Sequence, residues 1–178
     1  RSIAEELARR NNGENLGIYI QISRGADTKR NHAMPEGITP TRFAFAFEIP
    51  SPPEADKDTA KSYHVSTTED LRWQRCHIKS TSLLGNVMHY QHGHSRGCQE
   101  TLLFNGQDEL TEAAACNVFV VKNGAVATPL LDHQKLPGIT RYMLIDMLSK
   151  HSELSVEERV VTKEEVLTAD EVWITSST

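Results

Sequence analysis

The proline-rich stretch at residues 48–57 constrains the fold of this chain more than any other part of the sequence. It holds three of the seven prolines in a chain of 178 residues. Proline lacks a backbone N–H and fixes φ, so a run of prolines stiffens the chain and is kept out of the middle of a sheet. The stretch therefore predicts two domains, at residues 1–50 and 58–178, with a linker at residues 51–57.

The first domain is predicted to be a partial α/β domain. Apolar residues at helical spacing between residues 3 and 8 indicate a short amphipathic helix. Alternating apolar residues at 16–22 and at 43–47 indicate two half-buried strands. We expect these two strands to pair with each other.

The second domain is predicted to contain mostly antiparallel sheet. Asn105-Gly106 and Asn123-Gly124 are dipeptides typical of tight hairpin turns. Each turn separates two short apolar runs, which predict strands at residues 101–104, 110–112, 118–121 and 125–128. Further strands are predicted around Lys79, at residues 156–161 and at residues 172–175.

Helices are predicted between these strands. The first, at about residues 82–96, is expected to bury an apolar stripe formed by Leu83, Leu84, Val87 and Met88. The second begins near residue 138 and has apolar residues at helical spacing between residues 143 and 148. The third begins at Thr162, where Glu165 completes a capping box.

Composition excludes several kinds of partner. Lys and Arg number 19 against 24 Asp and Glu, which gives no basic surface for nucleic acid. No apolar run reaches the roughly 18 residues that a membrane span needs.

The three cysteines have no close pair, which is typical of a reducing compartment. We expect a cytoplasmic protein, and a fragment of a longer one, because the chain starts without Met and stops directly after an apolar run.

Lys79 is a candidate nucleophile. It lies in a strand-like pattern and is followed by small hydroxyl residues. Burial disfavours a charged ammonium, so a buried lysine amine can attack a carbonyl and form a Schiff base. The alternative, an ordinary surface lysine, stays open on the residues alone.

Glu112 is a candidate partner for a buried cation. It precedes a run of small residues at 113–116, which would let another group approach the backbone closely. A carboxylate in such a place can form charge-assisted hydrogen bonds. A solvated glutamate at the end of a strand is the alternative.

An anion site is predicted where the second helix begins. Gly138, Ile139 and Thr140 lie at this start, and free N–H groups together with the positive end of a helix dipole can bind a phosphate. The hydroxyl residues at 175–178 offer further donors. The alternative for Thr140 is a simple helix cap.

Two loop residues are candidates for binding a carboxylate. Arg30 and His32 are two apart, so their side chains would project to the same side of an extended loop. Arginine presents the paired donors that a carboxylate prefers, although a solvated loop pair is the alternative.

For His89, His92 and His94 a solvated helix surface is favoured over a metal site, so no metal is expected.

Four segments together resemble a known family. In order and spacing they resemble the fold-type IV pyridoxal-phosphate enzymes. The segments are Ile78-Lys79-Ser80, Thr111-Glu112 with the small residues after it and Asn117-Val118-Phe119, the run from Leu136 to Arg141, and the run from Thr175 to Thr178. That family contains D-amino-acid transaminases, branched-chain aminotransferases and aminodeoxychorismate lyases. The Arg30-Asn31-His32 loop and the run from Asp70 to Cys76 are most similar to the D-amino-acid transaminase branch.

The resemblance implies a fold and a set of site residues. It implies two lobes, an α/β N-terminal lobe and a barrel-like, mostly antiparallel C-terminal lobe incomplete at its end, with pyridoxal 5'-phosphate between them. Lys79 would hold the cofactor as a Schiff base and act as the catalytic base, and Glu112 would pair with the pyridine nitrogen. The remaining cofactor contacts would be Leu136 on the ring and, at the phosphate, Gly138, Ile139, Thr140, Ser177 and Thr178. Arg30 and His32 would bind the substrate carboxylate.

The resemblance also implies a reaction. We expect transamination of D-amino acids, converting D-alanine and 2-oxoglutarate into pyruvate and D-glutamate, by a homodimer. The alternatives are an aminodeoxychorismate lyase, a branched-chain amino-acid aminotransferase and a non-catalytic fragment. The family's N-terminal phosphate-binding arginine has no counterpart here, and alanine and cysteine occupy positions 114–116, where relatives often carry serines.

Overall fold

The computed structural model describes residues 2–54 and 56–177, which form two compact units, Arg1–Ala60 and Lys61–Thr178. The first unit contains one helix and two strands: α1 Ser2–Arg10, β1 Leu16–Ser23 and β2 Thr41–Glu48. A single 3-10 turn, Lys57–Thr59, follows near its end. The domain boundaries expected at residues 50 and 57 stay a prediction.

The two strands of the first unit pair as the alternation of their apolar residues predicts. They are antiparallel, with Leu16 opposite Glu48 and Ser23 opposite Thr41. Because side chains alternate along a strand, Phe43, Phe45 and Phe47 lie on one face, where neighbouring rings are 5.6 and 5.7 Å apart. These rings are partly exposed in the described part of the chain.

Two small sheets form the second unit. The first has the order β3-β4-β5 and the second the order β8-β7-β6-β9. Their strands are β3 Val65–Glu69, β4 Glu100–Phe104, β5 Leu110–Ala113, β6 Asn117–Lys122, β7 Ala125–Pro129, β8 Ser155–Arg159 and β9 Glu171–Thr175. Three of the five pairings are antiparallel, and β3/β4 and β7/β8 are parallel.

Helices connect the parallel pairs, as such crossovers require. Helix α2 Leu84–His94 joins β3 to β4, and helix α3 Ile139–His151 joins β7 to β8. A short helix, α4 Lys163–Leu167, precedes β9. None of the helices in the described residues has the length and apolar character to cross a membrane.

The core of the second unit lies between the sheets and their helices. Its largest fully buried side chains come from β4, β5 and β6 and include Phe104, Phe119, Leu102, Leu103 and Leu110. A smaller cluster joins Phe119 and Val126 to Leu148 of α3. β5 and β6, which carry Glu112 and Asn117, are therefore anchored in the best-packed part of the chain.

Several local predictions are confirmed. At the Asn123-Gly124 turn both residues have positive φ, 51° and 76°, as the tight hairpin turn requires. The capping box is also present: Glu165 N donates to Thr162 Oγ1 at 3.2 Å, and Thr162 N donates to Glu165 Oε2 at 3.0 Å.

The buried stripe predicted for α2 is wrong. Leu83, Leu84, Val87 and Met88 are 52–72% exposed, and His89 and Gly93 are the buried residues of the helix. A Cβ added to Gly93 would collide with Thr101 Oγ1 of β4, so glycine lets the helix lie directly against the sheet. The close approach of the backbones decides which face of α2 is turned inward.

The strand predicted around Lys79 is also wrong. Residues 74–77 form turns, and Lys79 follows them in an irregular segment. The backbone N–H groups are used by the turns and by another loop: Ile78 N donates to Arg75 O at 3.1 Å and Cys76 N donates to His133 O at 2.7 Å. They are therefore not available to a sheet ladder.

Candidate active site

Glu112 on β5 is the centre of a buried polar cluster. Its residue exposure is 5%, and three donors hold its carboxylate. Asn117 Nδ2 at 3.0 Å and Leu136 N at 2.6 Å donate to Oε1, and Arg72 Nη1 donates to Oε2 at 2.8 Å. The alternative of a solvated strand-end glutamate is excluded by this burial.

Arg72 links Glu112 to a second buried carboxylate. Its Nη2 and Nε donate to Asp70 Oδ2 and Oδ1 at 2.8 and 3.0 Å, and Nη2 also donates to Gln134 O at 3.1 Å. Asp70 is fixed further by Thr111 Oγ1, which donates to Oδ2 at 2.7 Å. The guanidinium therefore bridges two carboxylates in a site with very little solvent.

Burial and pairing compete in setting the pKa values of this cluster. Burial raises the pKa of Glu112, although Arg72 and the Leu136 N–H pull it back. Burial also acts on Asp70, but the hydrogen bonds and charge of Arg72 outweigh it and lower the pKa of that carboxyl. Desolvation opposes the charge on Arg72, yet its two carboxylate partners raise the pKa of the guanidinium above its usual range.

Asn117 connects Glu112 to the segment before α3. Its Nδ2 donates both to Glu112 Oε1 and to Leu136 O at 2.9 Å. A Cβ added to Gly138 would collide with Asn117 Oδ1, so only glycine allows the amide to lie this close. Three residues predicted for the site, Glu112, Leu136 and Gly138, are therefore brought together by Asn117, which belongs to the segments that carry the family resemblance but had no role assigned to it.

The start of α3 has the properties of an anion site. Gly138 is the N-cap and has no side chain that could cap the helix, and the N–H groups of a helix's first turn lack partners within the helix. Thr140 Oγ1 donates to Ser176 O at 2.9 Å, which ties the helix start to the end of β9. Ile139 and Ser177 are exposed, and Thr178 lies outside the described residues.

One buried hydroxyl beside this region has no hydrogen-bond partner among the described residues. Thr175 Oγ1 is buried and without a hydrogen bond to any residue in 2–54 and 56–177. The pairing of β6 with β9 sets Thr175 opposite Asn117, which contacts Glu112. Because buried polar atoms are nearly always paired, this hydroxyl is a candidate contact for a polar ligand atom.

Lys79 lies outside this buried cluster. Its side chain is exposed, so the burial expected to activate the amine is not present in the described chain. The segment that carries it is nevertheless tied to the Leu136 loop, since Cys76 N donates to His133 O and Arg72 donates to Gln134 O. The segment that carries Lys79 and the loop before Leu136 thus meet through one backbone hydrogen bond and one hydrogen bond from the Arg72 side chain.

Arg30 and His32 belong to the first unit. Both are exposed in the loop between β1 and β2. Arg24 donates to Asn31 O and Ala33 O, each at 3.4 Å, and so spans the part of the loop that holds His32. The structure of the unit is compatible with a carboxylate-binding loop, which stays a prediction.

Sequence reasoning gave no individual role to Asp70, Arg72 or Asn117, although all three lie in segments that carry the family resemblance. Thr175 was expected only as one of the donors at residues 175–178. The local signal was limited to the alternating charges of Asp70-Leu71-Arg72 and to the asparagine after a small-residue run. Their roles depend on contacts between distant segments, for Arg72 and Glu112 are 40 positions apart. Among the described residues no three His, Cys, Asp or Glu side chains are grouped so that they could hold a metal ion.

Comparison with known proteins identifies the family. The sequence model of the class IV aminotransferases matches residues 1–178. The D-alanine aminotransferase of Bacillus licheniformis is 37% identical over 178 residues, which are 100% of this chain and 61% of that protein. The chain belongs to the class IV aminotransferase family, and it spans about 61% of the length of that relative.

Solved structures agree with this family. A protein from Legionella pneumophila assigned as a 4-amino-4-deoxychorismate lyase is 26% identical, with a TM-score of 0.72 over 91% of this chain and 58% of that chain. The branched-chain amino acid aminotransferase of Escherichia coli is 22% identical and has a TM-score of 0.81 over 98% of this chain and 58% of that chain. The predicted fold-type IV architecture, present here in part, is confirmed.

Proposed function

We propose that the protein is a pyridoxal-phosphate-dependent aminotransferase that acts on D-amino acids, with D-alanine as donor and 2-oxoglutarate as acceptor. The observation that carries the proposal is the Glu112 carboxylate, buried and held by three donors in a member of the class IV family. The D-alanine aminotransferase that is 37% identical over the whole chain supports the choice of substrate.

The donor set of the site suits this cofactor. A carboxylate has about four acceptor positions, and the three donors on Glu112 leave one on Oε2. That position suits the N–H of a protonated pyridine ring. The helix start at Gly138 and the unpaired Thr175 hydroxyl suit a phosphate or another polar oxygen.

Each residue of the site then has a defined task. When bound, the cofactor would supply an electron sink that stabilises negative charge on the substrate α-carbon. The Lys79 amine would hold the cofactor covalently and afterwards move the α-proton, and Glu112 would accept a hydrogen bond from the ring nitrogen. Leu136 would pack on the ring, and Ile139, Thr140, Ser177 and Thr178 would bind the phosphate.

Substrate binding is assigned to the first unit. Arg30 would bind the α-carboxylate through its paired guanidinium donors, and His32 would supply a third donor. Their position two residues apart in an exposed loop supports this role. We also propose a cytoplasmic homodimer, on the grounds of the sequence resemblance.

A second candidate is an aminodeoxychorismate lyase. It is favoured by the Legionella pneumophila structure, which is 26% identical over 91% of this chain. Such an enzyme would release pyruvate without a 2-oxo acid acceptor. A transaminase forms pyruvate from D-alanine only when 2-oxoglutarate is present. This requirement separates the transaminase from the lyase.

The test uses the full-length protein with pyridoxal phosphate, D-alanine and 2-oxoglutarate. We expect pyruvate and D-glutamate in equal amounts, and, after borohydride reduction, a cofactor-sized mass on the peptide that contains Lys79. Lys79→Ala should lose both the label and turnover, whereas Lys61→Ala, at another exposed lysine, should keep them. A wild-type protein without label and without amino transfer would overturn the proposal.

A further inference from the structure

We propose that Arg72 is a positioning residue for the cofactor: it fixes the direction of the Glu112 carboxylate so that one acceptor position on Oε2 faces the ring nitrogen. This inference rests on the proposed function. Nothing in the family resemblance assigned a role to Arg72.

The first step is the orientation of the carboxylate. Both acceptor positions of Glu112 Oε1 are taken, by Asn117 Nδ2 and by Leu136 N. Arg72 Nη1 takes one position of Oε2 at 2.8 Å. Because donors hold both oxygens, the carboxylate cannot rotate about its last bond without losing a hydrogen bond. Asn117 and Leu136 therefore hold Oε1, and Arg72 determines which acceptor position of Oε2 stays open.

The second step is that Arg72 is itself fixed. Asp70 accepts from Nε, from Nη2 and from the backbone N of Arg72, at 2.8–3.0 Å. A Cβ at Gly85 would lie 3.3 Å from Arg72 Cγ, so helix α2 covers the stem of the side chain closely. A guanidinium held in this way has little freedom to move, so it keeps the Glu112 carboxylate in one orientation.

The third step is charge. The side chains of Asp70, Arg72 and Glu112 are 5%, 3% and 6% exposed, and two carboxylates and one guanidinium sum to −1. A buried net charge is costly, so the cluster can accept one more positive donor. A protonated pyridine nitrogen at the open position of Oε2 is such a donor. Without Arg72, two buried carboxylates would share the site and Glu112 would take up a proton, so it could no longer accept at that position.

The experiment compares Arg72→Gln with Arg141→Gln in the full-length protein. Arg141 is a matched control because it is also a buried arginine bound to a carboxylate, Glu158, at 2.7 Å. Without cofactor, carbon-13 NMR of labelled glutamate follows the titration of the Glu112 carboxyl, assigned by its loss in Glu112→Gln. We expect the titration midpoint of Glu112 to rise in Arg72→Gln and to stay at the wild-type value in Arg141→Gln.

The second measurement is the dissociation constant of pyridoxal phosphate. A lost charge-assisted hydrogen bond should raise it about tenfold or more in Arg72→Gln. Arg159→Gln is the control for this measurement, because Arg159 pairs with Glu157 and Glu165 outside the proposed site, and it should leave the dissociation constant unchanged. Arg72→Lys covers the case in which Arg72→Gln does not fold. A lysine keeps the positive charge but lacks the paired donors of a guanidinium. The titration midpoint of Glu112 should therefore stay near the wild-type value, while the affinity for pyridoxal phosphate falls.

The outcomes separate the two proposals. An unchanged Glu112 midpoint in Arg72→Gln, or unchanged cofactor affinity in both Arg72 variants, overturns the positioning role. A wild-type protein that binds no pyridoxal phosphate overturns the proposed function and with it the role toward the cofactor. The titration without cofactor would in that case still decide whether Arg72 controls the charge of Glu112.

Discussion

Gly138 lies so close to Asn117 that a single added carbon would collide with the asparagine Oδ1. The same asparagine donates to Glu112 and to the Leu136 carbonyl. One amide, that of Asn117, thus holds the helix start at Gly138 at a fixed distance from the Glu112 carboxylate. The helix start would bind a phosphate, and the carboxylate would bind a ring nitrogen. A substrate-independent structural test of the site can therefore be made at Gly138.

Gly138→Ala should destabilise the protein by about 1–3 kcal/mol, because overpacking displaces Asn117 and weakens its bond to Glu112. Denaturant unfolding of the variant measures this change. Gly106→Ala is the control, since an added Cβ there would meet nothing within 4 Å. It should change stability by no more than about 0.5 kcal/mol. Equal effects of the two variants would show that the Gly138–Asn117 contact has no special importance.

Glu112→Gln tests the central carboxylate in catalysis. An amide keeps the shape but not the negative charge, so it should no longer stabilise a protonated ring nitrogen. We expect kcat for D-alanine to fall about a hundredfold or more. Glu164→Gln, at an exposed glutamate of α4, is the control and should leave kcat unchanged. Wild-type kcat in Glu112→Gln would remove Glu112 from the proposed mechanism.

The sequence predicted those parts of the fold that short segments determine. The turn at Asn123-Gly124 and the capping box of Thr162 and Glu165 depend on residues within four positions of one another, and both are present. The order of motifs along the chain placed Glu112 and Gly138 in one site, and in the structure both residues contact Asn117, while their roles stay a prediction. The residues themselves left a surface role open for Glu112.

The inward face of α2 could not be read from apolar spacing. Helical periodicity pointed to Leu84 and Val87, whereas the inward face is formed by Gly85, His89 and Gly93, at intervals of four. Small residues let the helix approach the strands, and no hydrophobicity pattern reports that geometry. The Arg72–Glu112 pair was missed for a related reason, because 40 residues separate the partners and only the folded chain brings them together.

His89 predicts a pH dependence of stability. Its Nε2 accepts from Leu71 N at 3.1 Å, which requires a neutral ring, and burial lowers its pKa below 6.5. Among the charged neighbours, Asp70 raises this pKa, while Arg72 and His92 lower it. The folded pKa is therefore below the unfolded value, so the stabilisation is present above about pH 6.5 and is lost as the pH falls below it.

The measurement is the free energy of unfolding between about pH 5 and pH 8. The contribution of His89 to the slope is at most about 1.4 kcal/mol per pH unit, the value for one proton. His89→Gln should flatten the slope below pH 6.5. His94→Gln, at an exposed histidine of the same helix, should retain the slope. Identical slopes in the two variants would assign the pH dependence to other groups.

Arg30→Ala tests the assignment of the carboxylate-binding loop. Removing a guanidinium that binds the substrate carboxylate should raise the KM for D-alanine about tenfold or more, since charge-assisted hydrogen bonds are lost. The dissociation constant of pyridoxal phosphate should not change, because the proposed cofactor residues lie in the second unit. Arg42→Ala, at an exposed arginine of β2 in the same unit, is the control and should keep the wild-type KM. An unchanged KM in Arg30→Ala would place the carboxylate-binding residues elsewhere in the protein.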